Sequence, residues 1–156
     1  MIFAEVPLAE AEGALLAHSL LLDGQRHAKG ETVTAALLAK AAAHGIERLW
    51  VARLDHGDVG EAEAARLVGE ALAGSGIEVA APVFGRVHLH AAHDGLLLLE
   101  PAAIHRLNAA TDTVAVATLP PQTPVRAGDL VASAKIVPYA LTPAEVEALA
   151  LATVQP

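Results

Sequence analysis

The sequence contains no cysteine, few aromatic residues and few basic ones. Without cysteine the chain cannot form a disulfide, a thiolate metal site or a cysteine nucleophile. Aromatic residues make up only 3% of it, which leaves little material for stacking nucleic-acid bases or for building an aromatic cage. The formal net charge is -8. Because nucleic-acid binding depends on Lys and Arg contacts to phosphate, we do not expect nucleic acid as a partner.

Long apolar runs are also missing. No run approaches the roughly 18 apolar residues that a membrane span needs, and the longest candidate, Gly95–Leu99, has the length of a strand. The first seven residues, Met1–Pro7, lack the basic region and the apolar core of a secretory signal. We therefore expect a cytoplasmic protein with no membrane partner.

Sequence motifs for phosphate loops, dinucleotide binding and nucleophilic serines are absent as well. The chain has no Gly-x-x-x-x-Gly-Lys, no Gly-x-Gly-x-x-Gly and no Gly-x-Ser-x-Gly. Its three serines, Ser19, Ser75 and Ser133, have no evident base nearby in sequence. We therefore do not expect a complete enzyme in this chain.

The sequence does contain a clear pattern of apolar residues. In some segments they recur with the spacing of a strand, and in others with the spacing of a helix. Hydrophobic residues make up 54% of the chain, many of them Ala and Leu. The pattern predicts an α+β fold with short, twisted, mostly antiparallel sheets and three or four helices. The 156 residues are expected to form a single module. The alternative is two small β-rich subdomains with a boundary near residue 75. We expect Trp50, the only Trp, to pack in the core.

Local signals mark where the helices begin. Thr34 is a good N-cap for a helix that ends near His44. Asp58 with Glu61 has the spacing of a capping box, as does Thr142 with Glu145. A further helix is expected over Pro101–Leu107.

The sharpest local chemical signal is a histidine cluster. On a strand, His88 and His90 point to the same face, and His93 can return to it after a turn. Three imidazoles on one side can ligate Zn²⁺, so the cluster predicts a metal site as one hypothesis. The alternative is a solvated strand face followed by a turn. The segment Asp55-His56-x-Asp58 has the residue types of a metal site or of an acid–base pair. The alternative is a turn followed by a helix N-cap, which we favour.

Two basic residues are candidates for binding an anionic cofactor. Arg86 follows Gly85 at the start of an expected strand, and its guanidinium can pair with a phosphate tail. Lys135 lies in the middle of another strand, with Ser133 on the same face. The alternative for these residues is a solvent-facing position on an alternating strand.

The order of several blocks resembles the N-terminal region of bacterial molybdopterin-binding proteins, which are related to the molybdenum-inserting transferases of molybdenum-cofactor biosynthesis. Two blocks carry most of the resemblance: Ala81–His90, and the stretch from Ala117 to Tyr139 that includes Val-Arg-Ala-Gly-Asp-Leu-Val-Ala-Ser-Ala-Lys-Ile-Val-Pro-Tyr. Shorter matches precede them: Glu5–Leu8, Glu10–Gly13, Leu16–Ser19, Lys29-Gly30, Ala43–Ile46, Val51–Leu54 and Gly57–Glu61.

The resemblance implies a module that handles molybdopterin, or that contacts other cofactor-handling proteins, as part of a homo-oligomer. In that family the recognised pterin-binding domain is a separate α/β unit further downstream, with glycine- and serine-rich loops that have no match here. No pterin-binding residue can therefore be transferred from it. We expect an accessory binding or scaffolding role. The alternatives are a metal-binding protein that uses His88, His90 and His93, and a structural oligomerisation module.

Overall fold

Four α-helices and several small antiparallel sheets form within residues 1–154, which are the residues that the computed structural model describes; side chains are described through residue 149. This confirms the predicted α+β class. The chain divides into two units, of which the first ends at His56 and the second begins at Gly57. Residue 75, where the sequence suggested a boundary, lies inside the second unit, because the helix before it packs on the strands after it.

The first unit is built around a three-stranded antiparallel sheet and one helix. Its elements are β1 (Ile2–Pro7), a 3-10 turn (Leu8–Glu10), β2 (Leu15–Leu16), β3 (Leu20–Leu22), β4 (Gln25–His27), α1 (Ala35–Ala43) and β5 (Arg48–Arg53). The sheet order is β1-β5-β2, while β3 and β4 form a separate hairpin. Leu16, Val33, Leu37 and Leu49 are among the buried residues that fill its core.

The prediction for Trp50 is wrong. Its side chain is 45% exposed, and its ring lies 5.6 Å from that of Phe3 on the outer side of the sheet. On β5 the buried residues Leu49 and Val51 flank Trp50, so alternation along the strand turns Trp50 away from the core. The apolar run over this strand did not indicate which face would be buried.

The second unit contains the larger sheet. Its elements are β6 (Val59–Gly60), α2 (Glu61–Leu72), β7 (Ile77–Val79), β8 (Arg86–Ala91), β9 (Gly95–Leu96), α3 (Pro101–Ala110), β10 (Val114–Thr118), β11 (Pro124–Val125), β12 (Leu130–Ile136), β13 (Ala140–Leu141) and α4 (Pro143–Val154). Four strands form an antiparallel sheet in the order β10-β12-β8-β7. Two short pairs, β9 with β11 and β6 with β13, accompany it.

The four-stranded sheet has two unlike faces. Its covered face packs against α2 and α3, and α4 contacts both of these helices. The residues on this face include Val87, Leu89, Val116, Ala134 and Ile136. Since side chains alternate along a strand, the residues between these positions lie on the opposite, open face. That open face carries the polar residues Arg86, His88, His90, Ser133 and Lys135.

The helix-start predictions have mixed outcomes. The Thr34 cap is confirmed, since its hydroxyl accepts from the Leu37 N–H at 3.3 Å. The Thr142–Glu145 capping box is also confirmed, because each residue accepts a backbone N–H of the other. The Asp58 box is wrong: α2 starts at Glu61 with Gly60 as its cap residue. The Val59-Gly60 segment pairs with β13 instead, so the chain remains extended past Asp58.

The edge strand β10 is held by a side chain from α3. Asn108 donates from Nδ2 to the Val116 carbonyl at 2.8 Å and accepts from the Val116 N–H at 2.8 Å. The amide thus satisfies the two backbone groups that a further strand would otherwise bind. Val116 lies in the core cluster of the second unit, so this bond joins the helix layer to the sheet.

Replacing Asn108 by Asp should lower the free energy of unfolding of the second unit by about 1–3 kcal/mol, the cost of leaving a partly buried backbone group unsatisfied. The carboxylate can still accept the Val116 N–H, but it cannot donate to the carbonyl and instead repels it. Urea denaturation measures the loss, and His105→Ala, at an exposed site on the same helix, is the control. Equal stability of the two variants would contradict the proposed role of Asn108.

No helix within residues 1–154 is both long enough and apolar enough to cross a membrane.

Candidate functional site

The two basic residues proposed from sequence come together on the open face of the second unit's sheet. Arg86 and Lys135 are direct partners in the antiparallel pairing of β8 with β12. Ser133, two residues before Lys135, lies on the same face, and its Oγ is 3.5 Å from Nη1 of Arg86. Directly opposed residues have Cβ atoms about 4.5–5.5 Å apart, so the guanidinium, the ammonium and the hydroxyl can reach one small ligand. We call Arg86, Ser133 and Lys135 the basic face.

A tight turn positions Arg86 at the start of its strand. Val83 and Arg86 exchange backbone hydrogen bonds of 2.8 and 3.0 Å, and the two residues between them, Phe84 and Gly85, both have positive φ. This is the backbone that two-residue hairpin turns require. Phe84 is unusual there, because a side chain at positive φ is strained and its ring is also exposed.

Lys135 is held against the same turn. Its Nζ donates to the Phe84 carbonyl at 2.6 Å and lies 3.6 Å from Oε2 of Glu61, the first residue of α2. A Cβ on Gly85 would lie 2.7 Å from that Glu61 oxygen and 2.8 Å from the Lys135 Nζ. Glycine at this position therefore lets the ion pair approach the backbone.

The electrostatics of the basic face are unbalanced. Like charges placed directly opposite each other on neighbouring strands are destabilising, by up to about 1 kcal/mol. Glu61 offsets the charge of Lys135, whereas Arg86 has no ion pair with an acidic side chain in the described part of the chain. The arrangement thus leaves one guanidinium available, beside a second cation and a hydroxyl.

The three histidines of the predicted metal site do not form one cluster. His88 and His90 share the open face, with ring centroids 6.3 Å apart. His90 donates from Nδ1 to the Gly128 carbonyl at 3.0 Å, and His93, on the turn after β8, donates from Nδ1 to the carbonyl of Asp94 at 3.1 Å. Among the residues with described side chains, no group of three or more His, Cys, Asp or Glu is placed to hold a metal ion.

His88 has one unusual feature. Its Nδ1 is buried, and within the described residues it has no hydrogen-bond partner. On β12, Ser133 is the residue paired with His88, so this imidazole borders the basic face.

Within the described part of the chain, the Asp55-His56-x-Asp58 segment likewise belongs to no group placed to hold a metal ion. Asp55 forms an ion pair of 2.5 Å with the N-terminal amine of Met1. The positive φ of Gly57 is typical of a turn, which agrees with the preferred interpretation of this segment.

The sequence did not indicate a second candidate site, which is a cavity on the covered face of the same sheet. Its volume is about 540 Å³, and His93 is the only one of the sequence-based candidates that lines it. Most of its other lining residues are Leu, Val and Ala. The lining draws on six strands and two helices, so no local sequence signal could have identified the cavity.

Comparisons with protein-family models, with curated proteins and with solved structures find no match for this chain.

Proposed function

We propose that this chain is an accessory binding module of molybdenum-cofactor biosynthesis, and that its basic face binds the phosphate group of molybdopterin. The observation that carries the proposal is the direct pairing of Arg86 with Lys135, with Ser133 beside them. The role is to hold a ligand or present it to a partner protein. The chemistry of this face is recognition of an anion.

A phosphate fits the three groups by charge and by hydrogen bonding. Arg86 presents a planar fork of N–H donors that matches two phosphate oxygens, while Lys135 acts as a point charge. The Ser133 hydroxyl supplies a neutral donor on the same side. An anion between the two cations would also remove the repulsion between directly opposed like charges.

The resemblance noted in the sequence supports the choice of ligand. Arg86 lies within the Ala81–His90 block and Lys135 within the block that ends at Tyr139, so the two main blocks of the resemblance meet as paired strands. The molybdopterin phosphate is a ligand group that this face could recognise without the rest of the pterin being enclosed.

Native mass spectrometry of the purified chain with molybdopterin tests the proposal. We expect an adduct whose dissociation constant rises at least about tenfold in Arg86→Gln and in Lys135→Gln, because a charge-assisted hydrogen bond contributes about 1.5–3 kcal/mol. Arg106→Gln is the matched control, since it removes the same charge from α3 on the covered side. Dephosphorylated molybdopterin should bind the unmodified chain and all of these variants with equal affinity.

Three results would contradict the proposal. They are the absence of an adduct, equal affinity in all variants, and an affinity that does not depend on the phosphate. The same spectra, recorded with Zn²⁺, test the metal alternative, which requires a stoichiometric adduct that His88→Ala with His90→Ala removes. They also report the number of subunits, and so test the expected homo-oligomer.

A further inference from the structure

The cavity on the covered face of the second unit's sheet has the form of a ligand site. Its volume is about 540 Å³. Leu89, Val116 and Val131 line its buried part, while the exposed residues Ser75 and Leu98 lie where it opens to solvent. Leu98 is 77% exposed, so a large aliphatic side chain stands in water at this opening.

The size of the cavity suits a small molecule. An apolar cavity of about 150 Å³ is large enough to bind benzene, and ligand sites in proteins commonly range over about 300–1,000 Å³. The cavity therefore has room for a molecule of two or three fused or linked rings, or for a branched aliphatic group of similar volume.

The lining determines the chemistry of the ligand. None of the described residues around the cavity is Asp, Glu, Lys or Arg, so a charged group placed inside would lose its hydration without compensation. Aliphatic side chains dominate, and Thr118 and Ala132, a directly opposed pair on β10 and β12, both face inward. An uncharged and mainly apolar molecule is favoured.

His93 supplies a directional polar group. A backbone carbonyl can only accept, so the bond from Nδ1 to the Asp94 carbonyl places a proton on Nδ1 and leaves Nε2 of the neutral ring as an acceptor. Nε2 lies close to Gly76, where an added Cβ would be 2.7 Å from it. The positive φ of Gly76 and this close approach both require glycine. None of the described residues forms a hydrogen bond with Nε2 of His93.

We infer that this cavity binds a small, uncharged, mainly apolar molecule that donates a hydrogen bond to Nε2 of His93. The site is separate from the basic face, because the two lie on opposite sides of the same sheet. Neither proposal depends on the other, and a variant in one site should leave binding at the other unchanged.

Two probes that differ by one hydroxyl group, naphthalene and 1-naphthol, test the ligand class. Calorimetric or NMR titration should show saturable binding of both at one site per chain. The naphthol should bind about three- to tenfold more tightly, the value of one neutral hydrogen bond. In His93→Phe this preference should disappear, while the affinity for naphthalene stays unchanged or increases.

Cavity-filling variants test the location. Ala132→Leu and Thr118→Met each extend an aliphatic chain into the cavity from a different strand, and each should weaken 1-naphthol binding at least about tenfold. Ala117→Leu adds the same bulk on the open face of β10 and should have no effect. Circular dichroism checks that each variant is folded, and two filling variants guard against the failure of one.

In the unmodified chain, methyl resonances of Leu89, Val116 and Val131 should shift on titration, which locates the probe without any substitution. Three results would each overturn the inference. They are the absence of saturable binding, equal binding in the filling variants and in Ala117→Leu, and methyl shifts confined to the exposed residues Leu96 and Leu98. A preference for 1-naphthol that persists in His93→Phe would overturn the role of His93 as the acceptor.

Discussion

Replacing Leu16 by Ala should lower the free energy of unfolding of the first unit by about 2–5 kcal/mol, the usual range for removing a buried Leu side chain. Leu16 is 1% exposed and lies in β2, where it belongs to the core cluster with Val33 and Leu37. Ala removes apolar contacts and leaves a cavity that a close-packed core fills only in part.

The size of the first unit makes this loss severe. Domains have a stability of about 0.05–0.15 kcal/mol per residue, and the first unit spans only Met1–His56. Its total stability is therefore on the order of 3–8 kcal/mol on that scale. The substitution takes a large fraction of it, and we expect the variant to be partly unfolded at 37 °C.

Trp50 provides the measurement, because it is the only Trp in the chain and lies in the first unit. Its fluorescence in a urea titration reports the unfolding of that unit. Leu21→Ala is the matched control: Leu21 is 73% exposed, and its truncation should change stability by less than about 0.5 kcal/mol. If the two Leu-to-Ala changes have similar effects, the core assigned to the first unit is incorrect.

Replacing Gly69 by Leu should destabilise the second unit by more than about 3 kcal/mol, because inserting even one or two methylenes into a packed core costs about 1–3 kcal/mol. Gly69 is buried in the middle of α2, against the sheet. A Cβ there would lie 2.8 Å from a methyl carbon of Val87 and 2.9 Å from one of Val79. Both neighbours are β-branched, so they have little freedom to rotate away.

The smaller change Gly69→Ala separates two opposing effects. Ala is favoured over Gly in a helix by about 1 kcal/mol, while its Cβ causes the clash with Val87 and Val79. We expect a net loss that is smaller than for Leu. A net gain would show that helix and sheet can separate at little cost.

Gly74 is the control for both changes at Gly69. It lies after α2, its φ is not positive, and a Cβ there would meet nothing within 4 Å. Gly74→Ala and Gly74→Leu should each stay within about 0.5 kcal/mol of the unmodified chain in urea denaturation. Equal effects at the two glycines would contradict the close packing of α2 on β8.

Part of this fold could be predicted because its signals are local. The caps at Thr34 and Thr142 each depend on residues within one helical turn, and both form as predicted. The Asp58 prediction used the same spacing and is wrong, because the segment before α2 pairs with β13, about 80 residues further along the chain. A local pattern is reliable only where no distant segment competes for the same backbone.

The candidate sites show the same division. The sequence identified Arg86 and Lys135 separately, each as a candidate for contacting an anionic ligand or, alternatively, as a solvent-facing residue on an alternating strand. Their direct pairing follows from the register of β8 against β12, which brings together two residues 49 positions apart in the chain. The histidine spacing, in contrast, indicated a convergence that the turn after β8 does not produce.

By itself, the sequence determined the α+β class, the positions of two helix starts and the alternation that sends Arg86 and Lys135 away from the apolar side of their strands. Those properties depend on periodicity and on hydrogen bonds between near neighbours. Only the tertiary structure decided which face of β5 exposes Trp50, why α2 needs glycine at position 69, and where the cavity lies. Each of these depends on atoms from distant segments meeting at van der Waals distance, and the order of residues along the chain does not specify such contacts one by one.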